Sequence, residues 1–157
     1  MGIKIQKATI EDLKDIQKLN LLLFEKEYCN YDKKLNLGWT FGKDGKKYFR
    51  KKITNSNSCA FVAKSGKDIL GYLVGGITKA EDYRNLPKTA ELENTFVLGE
   101  YRGKGIGTKL YESFIDWCKT NRVELIKVNT SAQNDRAINF YRKNKFKDYS
   151  LTLETEI

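Results

Sequence analysis

Phe96-Val97-Leu98-Gly99-Glu100-Tyr101-Arg102-Gly103-Lys104-Gly105-Ile106-Gly107-Thr108 carries an apolar, strand-like run into a turn of small residues, with a helix directly behind it. Glycines let the backbone take positive φ and let a ligand approach the amides closely. The first turn of a helix leaves N–H groups without intrahelical partners, and with the positive end of the helix dipole these suit a phosphate. Arg102 and Lys104 add side-chain cations. The spacing is neither that of a P-loop nor the Gly-x-Gly-x-x-Gly of a dinucleotide fold. On this segment alone, a tight strand–helix connection that uses glycine only for geometry is the competing reading.

Working outward, Ile106, Leu110, Phe114 and Cys118 form an apolar stripe at four-residue steps, which predicts a helix after the loop. Upstream, Thr89 to Leu98 predicts a strand, interrupted by Glu91, Glu93 and Asn94. Cys59 to Lys64 and Ile69 to Ile77 predict two strands around the turn Ser65-Gly66-Lys67-Asp68. Ile3, Ile5 and Ala8 suggest a first strand, and Thr9 with Asp12 an N-cap. Leu13, Ile16, Leu19 and Leu23 continue that helix to about Glu27; a second runs from Asp44 to Thr54, after a loop over 30–42. Downstream come a strand over Val123 to Thr130, a helix over Asn134 to Asn144, and a final strand over Phe146 to Leu153. The order β-α-α-β-β-β-α-β-α-β implies one domain over residues 1–157, built as a layered α/β sheet.

Composition narrows the chemistry. Three scattered cysteines and no histidine make a zinc site, or a nucleophile with a His base, very hard to build, so no metal is expected. Twenty-nine basic against 20 acidic side chains give a net charge of +9, which permits a polyanionic ligand. No predicted helix carries a dense basic face, which ranks nucleic acid last among partners. No apolar run approaches the ~18–20 residues of a membrane span, and the polar alternation of residues 2–7 is unlike a signal core, so a cytoplasmic protein is expected.

Two spaced motifs carry a resemblance. Arg102-Gly103-Lys104-Gly105-Ile106-Gly107 resembles the pyrophosphate loop [Arg/Gln]-x-x-Gly-x-[Gly/Ala] of the GNAT superfamily of N-acetyltransferases. Asn134-Asp135-Arg136-Ala137-Ile138-Asn139-Phe140-Tyr141 resembles its downstream signature Asn-x-x-Ala-x-x-[Phe/Leu]-Tyr. The element order is also that superfamily's, over essentially the whole chain. The resemblance implies a mixed, mostly antiparallel central sheet with helices on both faces and a splayed strand pair at the cofactor site. It implies acetyl transfer from acetyl-CoA to an amine, with a non-catalytic acyl-CoA sensor as the alternative.

By the same resemblance, Phe96, Val97 and Leu98 pair with the pantetheine arm. Residues Arg102, Gly103, Lys104, Gly105, Ile106, Gly107 and Thr108 hold the pyrophosphate, and Asn134, Tyr141 and Lys143 line or reach the cofactor. Tyr141 matches the tyrosine that protonates the departing thiolate; a phenol near pKa ~10 stays protonated at neutral pH. An acceptor amine near ~10.4 must lose a proton before attack. Glu93 is the expected base, with a raised pKa or through water, and Glu91 is the runner-up. Phe24, Glu25, Tyr28, Tyr31, Asp32, Trp39, Phe41 and Tyr83 are the expected acceptor region, for a small amine, an amino-acid derivative or a peptide. Dimers are common in the superfamily, which suggests a homodimer. One departure stands out: Lys145 replaces the usual glycine before Phe146, which passes the left-handed helix cap to Asn144 or changes the ending.

Overall fold

Strands β2 (Ser58–Ser65) and β3 (Asp68–Thr78) form the centre of the sheet, and their sequences explain why. Strands covered on both faces read as continuous apolar runs, and residues 59–63 and 69–76 are buried throughout. Gly66 and Lys67 join them in a two-residue turn, with Gly66 at φ 60°. In the computed structural model, which describes residues 2–157, β1 (Lys4–Lys7) pairs with β2 and β4 (Thr89–Val97) pairs with β3, all antiparallel. Helix α3 (Ile106–Thr120) crosses over to β5 (Leu125–Val128), which lies parallel to β4, as a crossover helix permits. The sheet order is β1-β2-β3-β4-β5.

Helices cover both faces. On one, α1 (Leu13–Asn30) and α2 (Lys43–Thr54) pack Ile16 and Phe49 onto Val62, Tyr72 and Val74. On the other, α3 and α4 (Asp135–Lys143) pack Leu110, Phe114 and Tyr141 against Leu73 and Leu92. The Thr9 N–H donates to the Asp12 carboxylate at 2.9 Å, and a 3-10 turn over Ile10–Asp12 leads into α1. The expected fold class, mostly antiparallel with helices on both faces, is what the chain adopts.

Two irregularities in β4 shape the site. Its pairing with β3 runs on to Val97, but its pairing with β5 stops at Leu92 opposite Val128. Residues 93–97 therefore keep an open edge: this is the expected splay. The ladder also shifts between Val74, opposite Asn94, and Gly75, opposite Leu92, so Glu93 is the extra residue of a β-bulge. The bulge changes side-chain parity. Before it, Ala90 and Leu92 face α3; beyond it Val97 does, while Phe96 and Leu98 face α1 and α2.

Two expectations need correction. The final strand over Phe146 to Leu153 does not form: Phe146 packs inward, but Tyr149, Leu151 and Leu153 are exposed and join no ladder. Alternation marks a surface suited to a sheet, yet a strand still needs a neighbour to take up its backbone groups. This segment instead lies against loops, with Arg84 over the Tyr149 ring and Lys34 paired with Glu154. The left-handed position after α4 is also not Asn144, at φ −91°, but Lys145 itself, at φ 71°. Phe146 N–H to Tyr141 C=O and Lys145 N–H to Arg142 C=O, both 3.0 Å, make the ending a Schellman motif.

Candidate active site

The open edge of β4, the glycine loop, α4 and the C-terminal half of α1 enclose a cavity of about 340 Å³. Of the residues expected at the cofactor, Phe96, Val97, Arg102, Gly103, Gly105, Ile106, Gly107, Thr108, Asn134 and Tyr141 line it. Leu98, Lys104 and Lys143 do not. The Leu98 N–H is taken by Leu70 C=O at 2.9 Å, the Lys104 ammonium lies 5.2 Å from the Tyr101 ring centre, and Lys143 is exposed.

After β4 a 3-10 turn over Gly99–Tyr101 delivers the loop. Gly103 and Gly105 stand at φ 72° and 78°, which L side chains rarely adopt, and Gly105 caps the N-terminus of α3. A Cβ added at Gly103, Gly105 or Gly107 would meet nothing within 4 Å, so the space beside these amides is open. Arg102 turns back: its Nε–H donates to Val97 C=O at 2.7 Å, and its guanidinium lies 5.0 Å from the Phe96 ring centre. Lys26 and Arg136 also line the cavity. Burial, then the charges of Arg102 and Arg136, push the Lys26 ammonium below its ordinary pKa; burial and Arg136 do the same to Arg102. Three mutually repelling cations beside helix-start amides fit the phosphates of coenzyme A, so the residues present suit that group.

Tyr141 is buried at the same cavity, packed on Phe140 and Phe146 with ring centres 5.4 Å away in each case. Burial first, then the charge of Glu27, then Tyr111, hold its phenol up at about 12. Asn134 has both roles open to it, accepting a hydrogen bond from the Ala137 N–H at 3.2 Å as the cap of α4 while lining the cavity.

Glu93 does not line the cavity. Its carboxylate forms an ion pair with the Lys52 ammonium from α2. Beside it runs a buried relay: Thr40 Oγ1–H donates to Asn20 (2.7 Å), Asn20 to the Tyr72 hydroxyl (3.0 Å), Tyr72 to Asn94 (2.6 Å) and Asn94 to the Tyr48 hydroxyl (3.2 Å). Glu91 accepts from Asn129 at 3.3 Å, on β4's paired portion. Of the expected acceptor residues, only Tyr31 lines the cavity. Phe24 stacks on Trp39 at 5.8 Å, Tyr28 lies under the Lys33 ammonium, and Glu25 and Asp32 are exposed. Phe41 lines a separate hollow with Lys46 and Arg50, and Tyr83 is exposed.

Residues 18–146 match the acetyltransferase (GNAT) family. The chain belongs to that family. It is 28% identical over 148 residues to streptothricin acetyltransferase A of Bacillus subtilis, covering 90% of this chain and 84% of that one. It is 25% identical over 150 residues to an N-alpha-acetyltransferase of Sulfurisphaera tokodaii, covering 92% and 80%. In fold it is similar to the PaiA N-acetyltransferase of Thermoplasma acidophilum, solved with coenzyme A, at a TM-score of 0.81 and 22% identity over 97% and 94% of the two chains.

For a GNAT acetyltransferase, the cavity holds three charged residues that sequence reasoning missed. Arg136 sits inside the Asn134–Tyr141 signature, where only the outer positions drew notice. Lys26 is an ordinary helix cation until α1 is packed beside Arg102 and Arg136. Glu27 had a readable signal: it follows Leu19 and Leu23 at four-residue steps, a carboxylate on the core-facing stripe of α1. Among the described residues, no helix is long and apolar enough to cross a membrane.

Proposed function

We propose that this GNAT acetyltransferase moves the acetyl group of acetyl-CoA to a primary amine by direct attack on the thioester. The observation that carries the reading is a single cavity containing both the glycine cradle with its cations and the buried, protonated phenol of Tyr141. Amides of the loop and the cations Lys26, Arg102 and Arg136 hold the phosphates. The open edge of β4 at residues 93–97 offers main-chain groups to the pantetheine arm. The neutral amine nitrogen attacks the carbonyl carbon, the C–N bond forms and the C–S bond breaks. As charge develops on sulfur, Tyr141 O–H donates to it, and the proton shed by nitrogen restores the phenol. A phenol held near 12 is a weak acid, so it acts chiefly as a hydrogen-bond donor that strengthens at the transition state.

The amine must first lose a proton. Glu93, the base expected from the sequence, is committed to Lys52 and stands outside the cavity, so in that role it would work through water. Amines of the kinds named in relatives, streptothricin and peptide N-termini, together with polyamines, make the acceptor panel. Thiol release from acetyl-CoA against that panel tests the reading; heat protection by CoA without any turnover would turn it to an acyl-CoA sensor.

A further inference from the structure

We infer that Glu27, near the C-terminal end of α1, receives the acceptor's ammonium group in this cavity and takes its proton. The inference rests on the acetyl-transfer reading above and adds the base that reading lacks. Leu23, Glu27 and Tyr31 follow one another at four-residue steps and all line the cavity that also holds Tyr141. The carboxylate is half-buried, and among the described residues no cation pairs with it. Its charge acts on the phenol of Tyr141, which lines the same cavity.

Electrostatics agree with the geometry. Burial, then the neighbouring charge of Asp32, raise the Glu27 carboxyl above its ordinary value. A carboxylate made costly in this way binds a proton more readily and gains from an incoming cation. Among the described residues, none of the cavity's cations, Lys26, Arg102 and Arg136, forms an ion pair with Glu27. The phenols that line the cavity with it are Tyr31, Tyr101, Tyr111 and Tyr141. Glu93 lies outside the cavity and is already paired with Lys52.

In the step, an N–H bond of the ammonium breaks and an O–H bond forms on Glu27. The neutral amine then attacks. The second nitrogen proton goes by way of Tyr141 to sulfur, and Glu27 returns its proton to water after the amide leaves.

The test is steady-state acetyl-CoA turnover with streptothricin, spermidine and a short peptide with a free N-terminus, for wild type, Glu27→Gln and Glu93→Gln across neutral to alkaline pH. Glu27→Gln is expected to lower kcat about 100-fold near neutrality, with the deficit shrinking as pH rises and the amine loses its proton unaided. Its KM for acetyl-CoA and its heat protection by CoA stay as in wild type. If Glu27→Gln keeps kcat within about threefold of wild type, or Glu93→Gln shows the pH-dependent loss instead, Glu27 is not the base while acetyl transfer stands. Loss of CoA protection in Glu27→Gln would make its role structural and overturn the inference. A wild type that acetylates none of these amines overturns both readings together.

Discussion

The Phe146 N–H donates to the Tyr141 carbonyl at 3.0 Å, and the rings of the two residues pack 5.4 Å apart at 64°. This contact closes the C-terminal end of α4 and packs the phenol to which the proposed mechanism assigns proton donation. It depends on Lys145 holding φ 71°. A non-glycine residue there costs about 1–2 kcal/mol, partly offset by the extra freedom glycine brings to the unfolded chain. Lys145→Gly is therefore expected to stabilise the protein by about 0.5–1 kcal/mol, seen as a rise in melting temperature with kcat unchanged.

Tyr141→Phe removes the proposed donor to sulfur while keeping the ring on Phe140 and Phe146. A fall in kcat of about 100-fold or more is expected, with little change in the KM for acetyl-CoA. Because burial holds the phenol near 12, no loss of activity below about pH 11 traces to its ionisation.

The loop glycines separate backbone strain from ligand clearance. Gly105→Ala forces a side chain onto φ 78° and is expected to cost about 1 kcal/mol of stability as well as CoA affinity. Gly107 lies inside the first turn of α3 with no left-handed φ, and its added Cβ would meet only open space. Gly107→Ala should therefore leave the melting temperature level or raise it, while weakening CoA binding measured by calorimetry.

Glu27 gives a stability signature with a definite sign. Its folded carboxyl is raised, so the native state holds that proton more tightly than the unfolded chain. Ionised Glu27 thus costs stability at neutral pH, and acidification through its folded pKa returns it. Glu27→Gln is expected to melt higher than wild type at pH 7, with the difference closing near pH ~4. A lower melting temperature at pH 7 would mean the carboxylate is held by a partner.

Sequence carried the cofactor half of the site further than the acceptor half. Gly103, Gly105 and Gly107 need special backbone or open space, so local chemistry announces them, while Asn134 and Tyr141 were legible through the resemblance of the signature they bound. The bulge at Glu93 is invisible in sequence, because it arises from how β3 and β4 register. Once it re-aims the strand, a carboxylate read as facing the acceptor instead meets Lys52 on α2. The alternation at Tyr149, Leu151 and Leu153 misled for a related reason: a strand is a property of two segments, and the pattern of one does not supply the other. Lys26, Glu27 and Arg136 acquire meaning only when α1 and α4 close on the same cavity.

The central claim, amine acetylation at this cavity, is tested most directly by measuring thiol release from acetyl-CoA together with the mass of the amine product. Wild type is expected to release one thiol for each acetylated amine, and Tyr141→Phe to lose both signals together. Tight CoA binding with no acetylated product from streptothricin, spermidine or a free peptide N-terminus would contradict it.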